Sequence, residues 1–301
     1  MKTIFKALFL FITLGISAQQ SATESEVVTK ALQEKEALTN KSIIKNISFT
    51  NIGPTIMSGR VADIDVNPND PTEFYVGYAS GGLWYTKNNG TSFIPLLDNS
   101  PTQNVGDIAV DWDNGTIWVG TGEKNSSRSS YAGIGMLKSD NQGKTWEHVG
   151  LSDSHHVSRI VINSNNPEEV VVGVIGHLYS PNEERGVFKT LDGGKTWKKT
   201  LFINNDTGII DVVAAPENPN VLYAASWERE RKAWNFDGDG NNSAIYKSTD
   251  AGDTWKNISI NNGFRNGAGV GRIGLSVYDE NTVYAIHDSQ FRRKSEKKEK
   301  K

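Results

Sequence analysis

One eight-residue pattern occurs four times in this chain, ending at Phe93, Trp146, Trp197 and Trp255, at intervals of 53, 51 and 58 residues. Repetition at that period, between short runs rich in Val, Ile, Tyr and Trp, is the signature of a β-propeller, in which each repeat is one small antiparallel sheet packed on the next. The inner strands are expected at 61–66, 105–112, 157–162, 209–214 and 270–277. Each is followed by turn residues such as Asn67-Pro68-Asn69 or Asp113-Asn114-Gly115, then by a returning strand at 73–77, 116–120, 170–174, 221–225 and 282–286. The fold class is therefore all-β: four complete four-stranded blades, a partial fifth with two strands, and an incomplete ring. A strand near residues 46–51 that completes the fifth blade and closes a small ring is the alternative.

Charge and the N-terminus narrow the setting. The 32 Lys and Arg against 35 Asp and Glu give a net charge of −3, with the basic residues scattered, so no footprint for a nucleic acid exists. Residues 1–18 read as an export signal, with Lys2 and Lys6 ahead of an apolar stretch and Ser17-Ala18 at the cleavage point. That stretch is about ten residues, short of the roughly 20 that span a bilayer. The mature chain is expected to have no membrane span and to be secreted or periplasmic, in a bacterial source. It has no cysteine, hence no disulfide. Residues 19–45 read as a polar, partly helical tether, 46–290 as the propeller, and 291–301 as a charged tail.

The repeated pattern is TKNNGTSF, SDNQGKTW, TLDGGKTW and STDAGDTW. It resembles the Asp-box, or bacterial neuraminidase repeat, of the form Ser/Thr-x-Asp-x-Gly-x-Thr-Trp. The Asp position is Asn88 and Asn141 in the first two copies and Asp192 and Asp250 in the last two; the closing aromatics include Trp146, Trp197 and Trp255. These residue types build a tight turn: a carboxylate or amide accepts from the local backbone, Gly takes positive φ, and the ring is buried between blades. The Asp residues are read as structural rather than catalytic.

Within Asp-box proteins, residues 76–84 followed by Pro95-Leu96-Leu97-Asp98 are similar to the opening of xyloglucanase-type glycoside hydrolases and of sortilin N-terminal propellers. The resemblance implies either a ligand-binding propeller or part of a secreted hydrolase. In the hydrolases a catalytic aspartate immediately precedes an Ile-Gly-Gly; here the matching position, two before Gly81, is Ala79. Retaining and inverting hydrolysis each require two carboxyls set about 5 to 10 Å apart. Binding of a peptide, protein or glycan is the preferred reading, and a polysaccharide hydrolase the alternative.

In a propeller, the loops entering each first strand and leaving each second strand share one face, and the Asp-box turns share the other. The binding candidates on the first face are Arg60, His155, His156, His177, Arg185, Trp227 and Trp234, with Glu184 and Arg272 nearby; Glu123 and Glu228 are the candidates for acid and base. His155, His156 and His177 are read as loop histidines with no metal, because neighbours on a strand point to opposite faces and no third ligand is spaced to help. Asp237-Gly238-Asp239-Gly240-Asn241 is read as a flexible insertion, lacking the Gly and Glu of a calcium loop at positions six and twelve. No cofactor is expected.

Overall fold

The computed structural model describes residues 21–47, 49, 59–260 and 262–291. The expected export signal, most of the strand near 46–51 and most of the charged tail lie outside them. After a helix α1 (Ser25–Lys41) with no buried residue, the chain forms five sheets in succession. Blade 1 is β1 (Val61–Val66), β2 (Phe74–Tyr78), β3 (Gly82–Thr86) and β4 (Ile94–Pro95). Blade 2 is β5 (Val105–Asp111), β6 (Thr116–Thr121), β7 (Met136–Ser139) and β8 (Glu147–His148). Blade 3 is β9 (Val157–Asn163), β10 (Asn166–Val174), β11 (Gly186–Thr190) and β12 (Lys198–Leu201).

Blade 4 is β13 (Thr207–Ala215), β14 (Asn218–Glu228), β17 (Ile245–Ser248) and β18 (Lys256–Asn257), with a side hairpin of β15 (Glu230–Arg231) and β16 (Phe236–Asp237). Blade 5 is the pair β19 (Val270–Val277) and β20 (Val283–Ser289). All pairings are antiparallel and follow chain order. Among the described residues no sheet joins blade 1 to blade 5, so the array is an open arc.

Burial comes from neighbouring blades. One apolar cluster joins Tyr75 and Leu83 of blade 1 to Ile108 and Val119 of blade 2. A second joins Trp118 to Val157 and Val172, a third Val171 to Ile209 and Leu222, and a fourth Tyr223 and Ile245 to Ile273. The Asp-box rings tie the same joints from the rim. The indole N–H of Trp146 donates to the Leu96 carbonyl at 2.9 Å, that of Trp197 to Val149 at 2.6 Å, and that of Trp255 to Thr200 Oγ1 at 3.2 Å, each in the preceding blade.

The box turns are local, as their composition requires. In the third copy Asp192 Oδ1 accepts from the Thr196 N–H at 2.9 Å and Oδ2 from the Thr196 hydroxyl at 2.6 Å, while Thr190 Oγ1 accepts from Gly194 N–H at 2.9 Å. Asp250 repeats this with Thr254. In the Asn copies the last bond reverses: Asn88 Nδ2 donates to Ser92 Oγ and Asn141 Nδ2 to Thr145 Oγ1.

The inner strands carry a second repeat. Near their starts they carry Asp63, Asp107, Arg159, Asp211 and Arg272, and in every blade the pairing register slips at that point, between residues 61 and 63, 105 and 107, 157 and 159, 209 and 211, and 270 and 273. A bulge re-aims the side chain it carries. Here it sends charges to the axis, where Arg159 lies 3.9, 3.5 and 3.1 Å from Asp63, Asp107 and Asp211. Each Asp also accepts a backbone N–H from the next inner strand: Asp63 from Ile108, Asp107 from Ile160 at 2.8 Å and Asp211 from Leu275 at 3.0 Å.

Candidate functional site

The face opposite the Asp-box turns holds a cavity of about 580 Å³ between blades 2 and 3. Its walls include Arg128 and Tyr131 from the loop after β6, His155 and His156 just before β9, and His177 and Tyr179 from the loop after β10. The backbone fixes these positions. Gly122 (φ +85) and Gly133 crowd the His155 carbonyl, which accepts the Gly133 N–H at 2.7 Å; a Cβ on Gly122 would lie 1.8 Å from that oxygen. His155 consequently adopts φ 53, a conformation costly for a residue with a side chain. Its ring stacks on His177 with centroids 3.7 Å apart.

Beneath the loop at 176–180 lie two guanidinium groups. Arg185 donates to the carbonyls of His177 and Ser180, both at 2.8 Å, and to Asn182 Oδ1 at 2.9 Å. Arg229, from blade 4, reaches the carbonyls of Gly176, His177 and Leu178. Both are buried, and neither forms an ion pair with a carboxylate among the described residues. Burial pushes Arg185 down to about 10 and lowers Arg229 further from the arginine range. The cost of burying charge is normally offset by an opposite charge or by hydrogen bonds; here carbonyl dipoles serve. Burial also lowers His156, and burial together with the His177 ring holds His155 at about 4. Burial lowers His177 as well, against Asp153, which accepts at 3.0 Å.

The remaining candidates divide. Arg60 and Glu123 form a bidentate pair that bridges blades 1 and 2, with Arg60 Nε to Oε1 at 2.7 Å. Burial alone would raise Glu123, but bonds from Arg60, Ser130 and Asn125 outweigh it and hold the carboxyl below its ordinary value. It is a fixed, ionised carboxylate. Glu228 accepts both the backbone and side-chain N–H of Asn242. Arg272 reaches Asn125 across the axis at 2.7 Å.

Trp227 requires a correction. It was expected to present its ring to a ligand, but it is 4% exposed, its N–H donates to the Gly238 carbonyl, and Phe236 packs on it edge-on. The reason is the side hairpin of β15 and β16, which lies just ahead of the segment read as a flexible insertion and sets Phe236 against the ring. Trp234, at that hairpin's turn, is 79% exposed and does not line the cavity. His156 and Arg185 are buried rather than surface loop residues, and Ala79 is buried in blade 1.

Sequence reasoning missed Asp153, Asn182 and Arg229. Asp153 is the neighbour that the histidines were expected to lack: one ligand-capable atom each from Asp153, His155 and His177 lies within 4.8 Å of the others. The assumption that His155 and His156 alternate on a strand failed because both precede β9 and His155 is left-handed. The recurrence of His and Asp in loops of one face of one blade was the available signal.

These features define an Asp-box β-propeller with a charged axis and a cavity on one face. The family model described as Sortilin, neurotensin receptor 3 (Sortilin-Vps10) matches residues 135–299, more than half of the chain, and the chain belongs to that family. Vacuolar protein sorting/targeting protein 10 of Kluyveromyces lactis is 32% identical over 84 residues, which cover 26% of this chain and 5% of that protein. An ancestral GH74 enzyme shares the fold at a TM-score of 0.55 and 19% identity, over 73% of this chain and 28% of the other. A structure of YCF48 bound to D1 peptide aligns at a TM-score of 0.49 and 14% identity, over 81% of this chain and 66% of that one. No helix among the described residues is long and apolar enough to cross a membrane.

Proposed function

We propose that this chain is a ligand-holding propeller of an exported sortilin-like protein, and that it takes an acidic peptide or protein segment in the cavity between blades 2 and 3. The observation that carries the reading is the pair of buried guanidinium groups, Arg185 and Arg229, without carboxylate partners under the cavity floor. Their charge favours an anionic group above them. In the cavity wall His156 Nδ1 is buried without a hydrogen-bond partner among the described residues, and Tyr131 and Tyr179 are 58% and 43% exposed. Aromatic side chains with polar tips suit peptide contacts.

The test is fluorescence anisotropy with a panel of acidic, neutral and basic peptides and neutral and acidic oligosaccharides. Acidic peptides bind preferentially, and Arg128→Glu or Tyr131→Ala weakens them by about tenfold or more. Preference for a neutral sugar, or indifference to both substitutions, would sink the reading. The hydrolase alternative needs a carboxyl that can deliver a proton, whereas Glu123 is tied to Arg60. Reducing ends released from a polysaccharide, and abolished by Glu123→Gln or Glu228→Gln, would restore it.

A further inference from the structure

Blade 3 places two imidazoles and a carboxylate together at the cavity wall: Asp153 and His155 precede β9, and His177 follows β10. We propose that Asp153, His155 and His177 form a binding site for one divalent transition-metal ion, with zinc as the ion to test, its fourth position filled from the cavity. The proposal stands independently of the peptide reading.

Donor chemistry comes first. Two imidazole nitrogens and a carboxylate oxygen suit zinc and its first-row neighbours, and three protein ligands with an open position are characteristic of zinc sites that exchange a fourth ligand. The spacing suits such an ion. His177 Nε2 and Asp153 Oδ1 are 3.0 Å apart. Bonds of about 2.0 Å in a tetrahedron separate ligand atoms by about 3.3 Å, so the pair has to open by only a few tenths of an ångström.

Supporting contacts hold each ligand. The other nitrogen of His177 meets Ser180 Oγ at 2.9 Å, the kind of outer partner that sets the orientation of a metal-bound imidazole. Asn182 Nδ2 donates to the Asp153 carbonyl at 2.8 Å and to Oδ2 at 3.3 Å, and Glu184 Oε2 accepts the Asp153 backbone N–H at 2.6 Å, adding a second negative charge beside the first. Neither ring nitrogen of His155 has a hydrogen-bond partner among the described residues, and its ring, stacked on that of His177, has to turn for both rings to face one ion. The opposing charge is Arg185, whose guanidinium is engaged with the His177 and Ser180 carbonyls.

The experiment is calorimetric titration of the full chain, stripped with chelator, with zinc chloride alone, followed by cobalt(II) as a spectroscopic substitute. One ion per chain is expected. His155→Ala and Asp153→Asn each weaken binding by at least about a hundredfold, and Ser180→Ala by about tenfold. His148→Ala, in the outer strand of blade 2, leaves binding unchanged. Cobalt should give the intense visible absorption of a four-coordinate ion, a reading on the unmutated chain that does not depend on any variant folding. Absence of binding by the unmutated chain, a weak six-coordinate cobalt spectrum, or binding that survives His155→Ala in a folded protein would overturn the proposal.

Discussion

The residue after the axial position is Ile64, Ile108, Ile160, Val212 and Ile273 in blades 1 to 5. Ile64 is 51% exposed, and the other four are at most 5% exposed. The second strands give the mirror image: Tyr75, Trp118 and Tyr223 are at most 4% exposed, while Tyr284 in blade 5 is 65% exposed. Tyr75 lies against Trp112 of blade 2, and the Tyr223 hydroxyl donates to the Glu280 carbonyl of blade 5. The middle and the ends of the arc therefore share a sequence pattern but not an environment. A blade has no dry interior of its own; its front is covered by the preceding blade and its back by the following one, the nearest-neighbour logic of repeat proteins.

Breaking the axial charge in the middle carries the largest expected effect. Lys124 Nζ lies 2.6 Å from Asp107, which is fully buried, so Lys124→Met removes its nearest cation, leaves it Arg159 at 3.5 Å and the Ile160 amide, and should cost about 3 kcal/mol in denaturant unfolding. Asp63→Asn, at the end of the arc, should cost under about 1 kcal/mol. Equal costs would mean that the axis does not distinguish middle from end.

The apolar positions sharpen the comparison. Ile160→Ala should lose about 2–5 kcal/mol, and Ile64→Ala should stay within about 0.5 kcal/mol. A large loss at Ile64 would show that its face is covered in solution.

The smallest effect separates the two box types. Bonds from the Thr196 and Thr254 hydroxyls and backbone hold Asp192 and Asp250 at about 2, below the ordinary 3.8. A depressed carboxyl contributes stability that is present above the unfolded value and lost as pH falls through the folded one. Thermal stability should therefore decline between about pH 4 and 2, and the double variant Asp192→Asn, Asp250→Asn should flatten that decline. Asn88 and Asn141 do not titrate, so blades 1 and 2 contribute nothing to it.

The blades were legible because their signals are local. Turn residues, alternating Val and Ile runs, and the box itself each lie within about ten residues. The axis was not, because an Asp or Arg inside an apolar strand reads as a solvent-facing residue until its partner in the next blade is known, as for Asp107 with Arg159. The cavity was half legible. Its histidines were singled out from the correct face, but Arg229 lies in blade 4 while its acceptors lie in blade 3, and the hairpin that buries Trp227 has only two residues in each strand.

The axial bulges give the assembly a polarity. Asp63, Asp107 and Asp211 each offer an oxygen to an amide further along the chain, never to one behind. A copied unit thus arrives with its own forward fastening, and growth by duplication needs no new connector to be invented. Blade 3 is the exception: it carries Arg159 there, a donor, so the unit that follows it must bring an acid such as Asp211.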